Sequence, residues 1–162
     1  MQTVYIETSI VSYLRMRTAS NVVAAARQLL TRQWWDHERE KYRLVISQYV
    51  LDEAAKGNPT LAAERLKHLD GIPMLAIESG VRDIADSILL SAVLPVKAEF
   101  DALHVAVAAY HGVDYLLTWN CTHIANARTL PKIQKVLSKI GYPSPTVCTP
   151  EEMVDYEIDL QE

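Results

Sequence analysis

The chain has 162 residues, 49% of them hydrophobic, with a mean hydropathy near zero and a formal charge of −4. That size suits one compact globular domain with a full core and leaves nothing over for a second. The acidic balance, with a pI near 5.7, argues against a general nucleic-acid coating protein, whose footprint is a strong basic excess; a local basic groove stays open.

Residues 2–6 (QTVYI) read as a β-strand that ends at Glu7, and residues 8–14 (TSIVSYL) continue at helical spacing. Two readings of this junction stand side by side. Thr8 or Ser9 is a helix N-cap and Glu7 is polar punctuation, or Glu7 is placed at the strand end for chemistry. In residues 20–41, Val22, Val23, Ala26, Leu29, Leu30 and Trp34 recur at three- and four-residue spacing, which predicts an amphipathic helix. Trp34 and Trp35 are neighbours on it, so one is expected in the core and the other partly exposed, at a partner surface.

Residues 43–47 (RLVIS) predict a second strand, 48–59 a helix stopped by Gly57 and Pro59, and 60–70 another helix. Residues 71–77 (GIPMLAI) predict a third strand, and 79–94 a helix closed by Pro95. Residues 98–111 are strongly helical; Gly112 ends that helix, and 113–118 (VDYLLT) read as a buried strand. A helix over 131–140, a fifth strand at 146–148 and a helix opened by Thr149, Pro150 and Glu152 complete the pattern, with a solvated acidic tail from Asp155. Residues 1–150 thus form the domain, and 151–162 are its last helix and tail. Cys121 and Cys148 are too few for a disulfide framework, and no leader-like segment precedes the first strand, so a soluble cytoplasmic protein is expected. No apolar run approaches the roughly 20 residues of a membrane span.

This alternation predicts an α/β domain: a doubly wound, five-stranded parallel sheet with helices on both faces and ligands bound outside the carboxyl ends of the strands. Four residues fall at that end: Glu7 after strand one, Glu53 in the helix after strand two, Asp101 opening the helix before strand four, and Asn120 just beyond that strand. Three acids and an amide in one crevice repel one another unless a cation sits between them, and oxygen ligands suit Mg²⁺ or Mn²⁺. Such a site performs metal-assisted attack of water on a phosphodiester. Thr8, Ser9 and Thr118 are either supporting hydroxyls or ordinary cap and strand-end residues.

Glu99 and Asp52, beside Asp101 and Glu53, point away from any shared site by helical geometry. His104 shares the face of Asp101 and reads as a packed or hydrogen-bonded histidine more readily than a catalytic one. Cys121 and His123 form a lone C-x-H that lacks the other ligands of a zinc site. Arg15, Arg17 and Lys97 are candidate RNA phosphate contacts, weighed against scattered solubilising charge.

In order and spacing, VYIETSI (4–10), VLDEA (50–54), EFDALHVA (99–106) and DYLLTWN (114–120) resemble the PIN-domain ribonucleases, especially the VapC-like toxins of type II toxin–antitoxin modules. The resemblance spans nearly the whole chain. It implies a PIN-like fold, Mg²⁺- or Mn²⁺-dependent endoribonuclease activity through a metal-activated water, a homodimer, and inhibition by a cognate antitoxin. Position by position, Glu7 matches the family's first acid, usually Asp; Glu53 matches its helix Glu; Asp101 matches the Asp of the long helix. Asn120 matches an acid, usually Asp. Two of the four depart from the pattern. Glu reaches one methylene further than Asp, and Asn removes one charge, which leaves about −3 at the four positions and favours one divalent ion over two. The rival reading is a catalytically weakened PIN-like module that grips RNA or a protein partner without cutting.

Overall fold

The computed structural model describes residues 1–91 and 93–155. Seven helices alternate with short strands: β1 (Thr3–Ile6), α1 (Thr8–Tyr13), α2 (Val22–His37), β2 (Arg43–Val45), α3 (Gln48–Ala54), α4 (Pro59–Leu69), α5 (Ser79–Leu90), α6 (Glu99–Tyr110), β3 (Tyr115–Leu117), α7 (Leu130–Lys139) and β4 (Thr146–Cys148). Three 3-10 turns, at 39–41, 96–98 and 150–153, complete the described chain. No helix among the described residues is long and apolar enough to cross a membrane.

The sheet order is β2-β1-β3-β4 and every pairing is parallel, with Val4 opposite Leu44 on one side and Tyr115 on the other. In β1, Val4, Tyr5 and Ile6 are each fully buried although successive side chains point to opposite faces. Both faces of the sheet are therefore covered, the condition that parallel sheets require. Helices α5, α6 and α7 pack together, as do α1 and α2. Because the chain moves from β1 to β2 on one side and then crosses back to β3 on the other, the order reverses between β1 and β3. Such a reversal is where parallel sheets place ligands, outside the carboxyl ends of the strands.

The sheet has four strands among the described residues, one fewer than expected. Residues 71–77 give only an isolated bridge, Ile46 to Met74, in which Ile46 N donates to Pro73 O at 3.0 Å and Leu75 N to Ile46 O at 2.7 Å. Pro73 has no N–H, and Met74 is 56% exposed, so the segment meets the outer edge of β2 at one point and then leaves it. The expected final helix is a 3-10 turn over Pro150–Met153, opened by the capping box of Thr149 and Glu152. The acidic tail from 156 onward lies outside the described residues.

The tryptophan expectation also needs correction: Trp34 and Trp35 are both buried, because the guanidinium of Arg39 lies over the Trp35 ring and His68 of α4 meets it edge-on. The apolar side chains that α2 leaves exposed are Val22, Val23 and Leu29. Gly112 (φ 62°) turns the end of α6 straight into β3, so the helix carrying Asp101 starts at the same end of the sheet where β3 finishes.

Candidate metal centre

Glu7 extends the ladder of β1 by one bond, its N–H donating to Leu117 O at 3.1 Å, and then stands at the N-cap of α1. Its side chain caps nothing. The hydroxyls that follow it serve carboxylates: Ser9 Oγ donates to Glu7 Oε2 in a short hydrogen bond, and Thr8 Oγ1 donates to Glu53 Oε1 at 2.9 Å. Thr118 Oγ1, at the end of β3, donates to the same Glu7 oxygen at 2.6 Å. Ser9 Oγ also accepts from Trp119 N (2.8 Å), and Thr118 Oγ1 from Asn120 N (2.9 Å), so the two strand ends are bonded together around a carboxylate that is only 5% exposed. Neither Thr8 nor Ser9 is the N-cap of α1; both lie inside the helix, and Glu7 holds the N-cap position without a side-chain cap bond.

Glu53 rises from α3 towards His104 of α6, whose Nε2 it meets in a short hydrogen bond. The other ring nitrogen, Nδ1, shares a 2.8 Å hydrogen bond with the Tyr5 hydroxyl, which shares another of 2.7 Å with Ser47 Oγ at the start of α3. Tyr5, Ser47 and His104 are fully buried. Burial opposes the charged form of His104, but the hydrogen bond to Glu53 and the negative charges of Glu7, Glu53 and Asp101 outweigh it and hold the imidazole above its ordinary value. Burial likewise opposes ionisation of Glu53, and is outweighed by the hydrogen bond and charge of His104, the Thr8 hydroxyl and Lys56, so its carboxyl lies below the ordinary range. Burial pushes the Tyr5 phenol far up, so it stays protonated.

Asp101 opens α6 one turn before His104. Its Oδ1 accepts from Asn120 Nδ2 at 2.8 Å and its Oδ2 lies 2.7 Å from His123 Nδ1. Asn120 Oδ1 accepts in turn from His123 N at 3.0 Å. Both ends of the Asn120 amide are thus used inside the protein, where they close the turn after β3 and orient Asp101. The turn is anchored to α2 by Trp119 Nε1 donating to Thr31 Oγ1 (2.7 Å) and by the Arg27 guanidinium lying over the Trp119 and Tyr13 rings.

The residues expected at this end of the sheet therefore form two hydrogen-bonded sets, one around Glu7 and Asp101 and one around Glu53 and His104, which meet at a tight group. One ligand atom each from Glu7, Glu53 and His104 lie within 4.8 Å of one another. The donor set fits a divalent cation. Among the described residues, no hydrogen bond reaches Glu7 Oε1 or Glu53 Oε2, and neither oxygen is among the sealed polar atoms without a partner, which are Arg15 Nε, Trp34 Nε1 and Tyr49 Oη. Asp101 stands outside the tight group, coupled to it through Asn120 and Thr118. His104 is a member that its burial-prone position in the sequence concealed, although its three-residue spacing from Asp101 put both on one face. His123, in sequence only half of a lone C-x-H, has its partner 22 residues earlier, at Asp101. Asp52 and Glu99 are exposed, with Asp52 Oδ1 accepting from Gln48 Nε2.

Arg17 and Lys97 are exposed, and Arg15 is partly buried. Arg15 and Arg17 line a cavity of about 240 Å³ with Thr18, Ser20 and Asn21, in a loop clamped to α2 by Gln28, which accepts from Ala19 N and donates to Arg17 O. No known family model matches the chain, and no curated protein sequence matches it.

Two outcomes follow from this geometry. Thr118→Val removes the hydroxyl that donates to Glu7 and accepts from Asn120 while keeping side-chain volume, and urea unfolding should show a loss of about 1–3 kcal/mol. In protein stripped of metal by a chelator, the contribution of His104 is complete below its unfolded value of 6.5 and fades as pH rises through its raised folded value. That of Glu53 is complete above its unfolded 4.5 and fades as pH falls through its lowered one. As pH rises above 6.5, stripped wild type should lose more stability than stripped Glu53→Gln, because the variant lacks the carboxylate that raises His104.

Proposed function

We propose that this protein is a PIN-type, metal-dependent endoribonuclease of the VapC-like kind, cutting RNA phosphodiester bonds. The observation that carries the reading is the convergence of Glu7, Glu53 and His104, with Asp101 beside them, at the carboxyl ends of β1 and β3 where the strand order reverses. A divalent ion, Mg²⁺ or Mn²⁺, would supply Lewis-acid polarisation of a phosphate oxygen and of the attacking water there.

The chain's own residues supply the rest. Glu7 and Glu53 hold the ion, and Ser9, Thr118 and Thr8 fix their orientations so that little is left to arrange when substrate arrives. Asp101, aligned by Asn120 and His123, adds negative charge at the mouth of the crevice and an acceptor for the proton of incoming water. In this reading Arg15, Arg17 and Lys97 are the side chains that would meet phosphates of the RNA strand. The same resemblance brings a cognate antitoxin and a homodimer, and the exposed Val22, Val23 and Leu29 of α2 offer apolar surface for such contacts.

A second reading is favoured by one observation. Both Asp101 oxygens are engaged by Asn120 and His123, as expected of a PIN-like module that binds RNA or a protein partner without cleavage. Purified, partner-free protein incubated with a mixed RNA pool separates the two. On the nuclease reading, cleavage appears only with Mn²⁺ or Mg²⁺, is abolished in Asp101→Ala, and falls at least ~tenfold in Glu7→Gln, since removing one unit of charge beside the ion costs at least ~1.4 kcal/mol. RNA binding without metal-dependent cleavage would instead support the binding module.

A further inference from the structure

The tight group at the crevice contains an imidazole, and the protein is built around that imidazole more closely than packing requires. His104 is fully buried, its Nε2 faces Glu53 within the group of three donors, and its Nδ1 is held by Tyr5 Oη, itself held by Ser47 Oγ. A histidine that ligates a metal through one nitrogen uses the other to bond an orienting partner, which fixes ring rotation and tautomer. Tyr5 and Ser47 occupy that place. The Tyr5 hydroxyl can accept from Nδ1–H while donating to Ser47, an arrangement in which Nε2, once the proton it shares with Glu53 is displaced, turns its lone pair to an ion.

We propose that the centre is a mixed nitrogen–oxygen site in which His104 Nε2 ligates the cation together with Glu7 and Glu53, Tyr5 and Ser47 orient the imidazole, and the site selects a first-row transition cation such as Mn²⁺ or Co²⁺ over Mg²⁺. The inference rests on the metal-site part of the reading above and not on RNA cleavage. Its chemical basis is that Mg²⁺ demands oxygen ligands in near-ideal octahedral geometry, whereas imidazole suits the borderline transition ions, whose affinity for nitrogen rises from Mn²⁺ to Co²⁺. The ion takes the place of the proton now lying between Nε2 and Glu53 Oε1, and that proton leaves to solvent. The free Glu7 Oε1 and Glu53 Oε2 complete the protein's share of the shell.

Chelator-stripped protein titrated calorimetrically with CoCl₂, MnCl₂ and MgCl₂ should bind Co²⁺ about a hundredfold more tightly than Mg²⁺. Electron spin echo measurements on the Mn²⁺-loaded protein should show nitrogen coupling, kept in His123→Gln and lost in His104→Gln. His104→Gln should also cut the Co²⁺ preference at least ~tenfold, because it replaces the imidazole with an amide. Should that buried variant fail to fold, the coupling in wild type and in His123→Gln decides the matter. The proposal is overturned if no ion binds, if Mg²⁺ binds as tightly as Co²⁺, or if bound Mn²⁺ shows no nitrogen coupling or loses it in His123→Gln. Metal-dependent RNA cleavage with an all-oxygen ion would overturn this inference alone, and a nitrogen-ligated ion without cleavage would overturn the nuclease reading alone.

Discussion

Carboxylates brought together in a half-buried crevice repel each other more strongly than they would in water, and much of the local structure around Glu7 offsets that repulsion. Each of the three acids is held by named partners. Two hydroxyls donate to one oxygen of Glu7, a hydroxyl and an imidazole to one oxygen of Glu53, and an amide and a second imidazole bond the oxygens of Asp101. The pairing is one-sided. It satisfies one oxygen of Glu7 and one of Glu53 and leaves the second of each without a hydrogen bond among the described residues. Neither second oxygen is sealed from solvent, so each is left with lone pairs available to a cation or to water.

The sheet makes this arrangement available. Reversal of strand order between β1 and β3 brings Glu7 and Thr118 to neighbouring strand ends, and α3, whose last turn carries Glu53, packs against both α1 and α6. The turn after β3 is held independently by Trp119 on Thr31 and by Arg27 on the Trp119 ring. Residues on helix α2, which contributes no ligand, therefore fix the position of Asn120 and, through it, Asp101.

Much of this was legible in the sequence, and the exceptions have physical causes. An apolar run that stops at a carboxylate followed by two hydroxyls marked the end of β1, and the positions of Glu53 and Asp101 on their helices followed from strand–helix alternation. The strand expected over 71–77 failed because an apolar composition cannot show that Pro73 lacks a donor or that the segment pairs only with Ile46, the residue just after β2. Adjacent helical positions implied one exposed tryptophan, yet Arg39 and His68 come from elsewhere to cover Trp35. Histidines were the weakest point: neither the Tyr5–His104–Glu53 chain nor the His123–Asp101 pair is local, and a histidine's partner across about 50 or 20 residues cannot be read from spacing alone. Asn120 was legible as a site residue, but its role in orienting Asp101 required coordinates.

The central claim is that Glu7, Glu53 and His104 together hold one divalent cation. Anomalous diffraction at the manganese edge from crystals soaked in MnCl₂ tests it most directly. The account predicts a single strong peak within about 2.0–2.3 Å of one oxygen from each glutamate and of His104 Nε2. A peak bound elsewhere, or none in crystals that remain ordered, would contradict it.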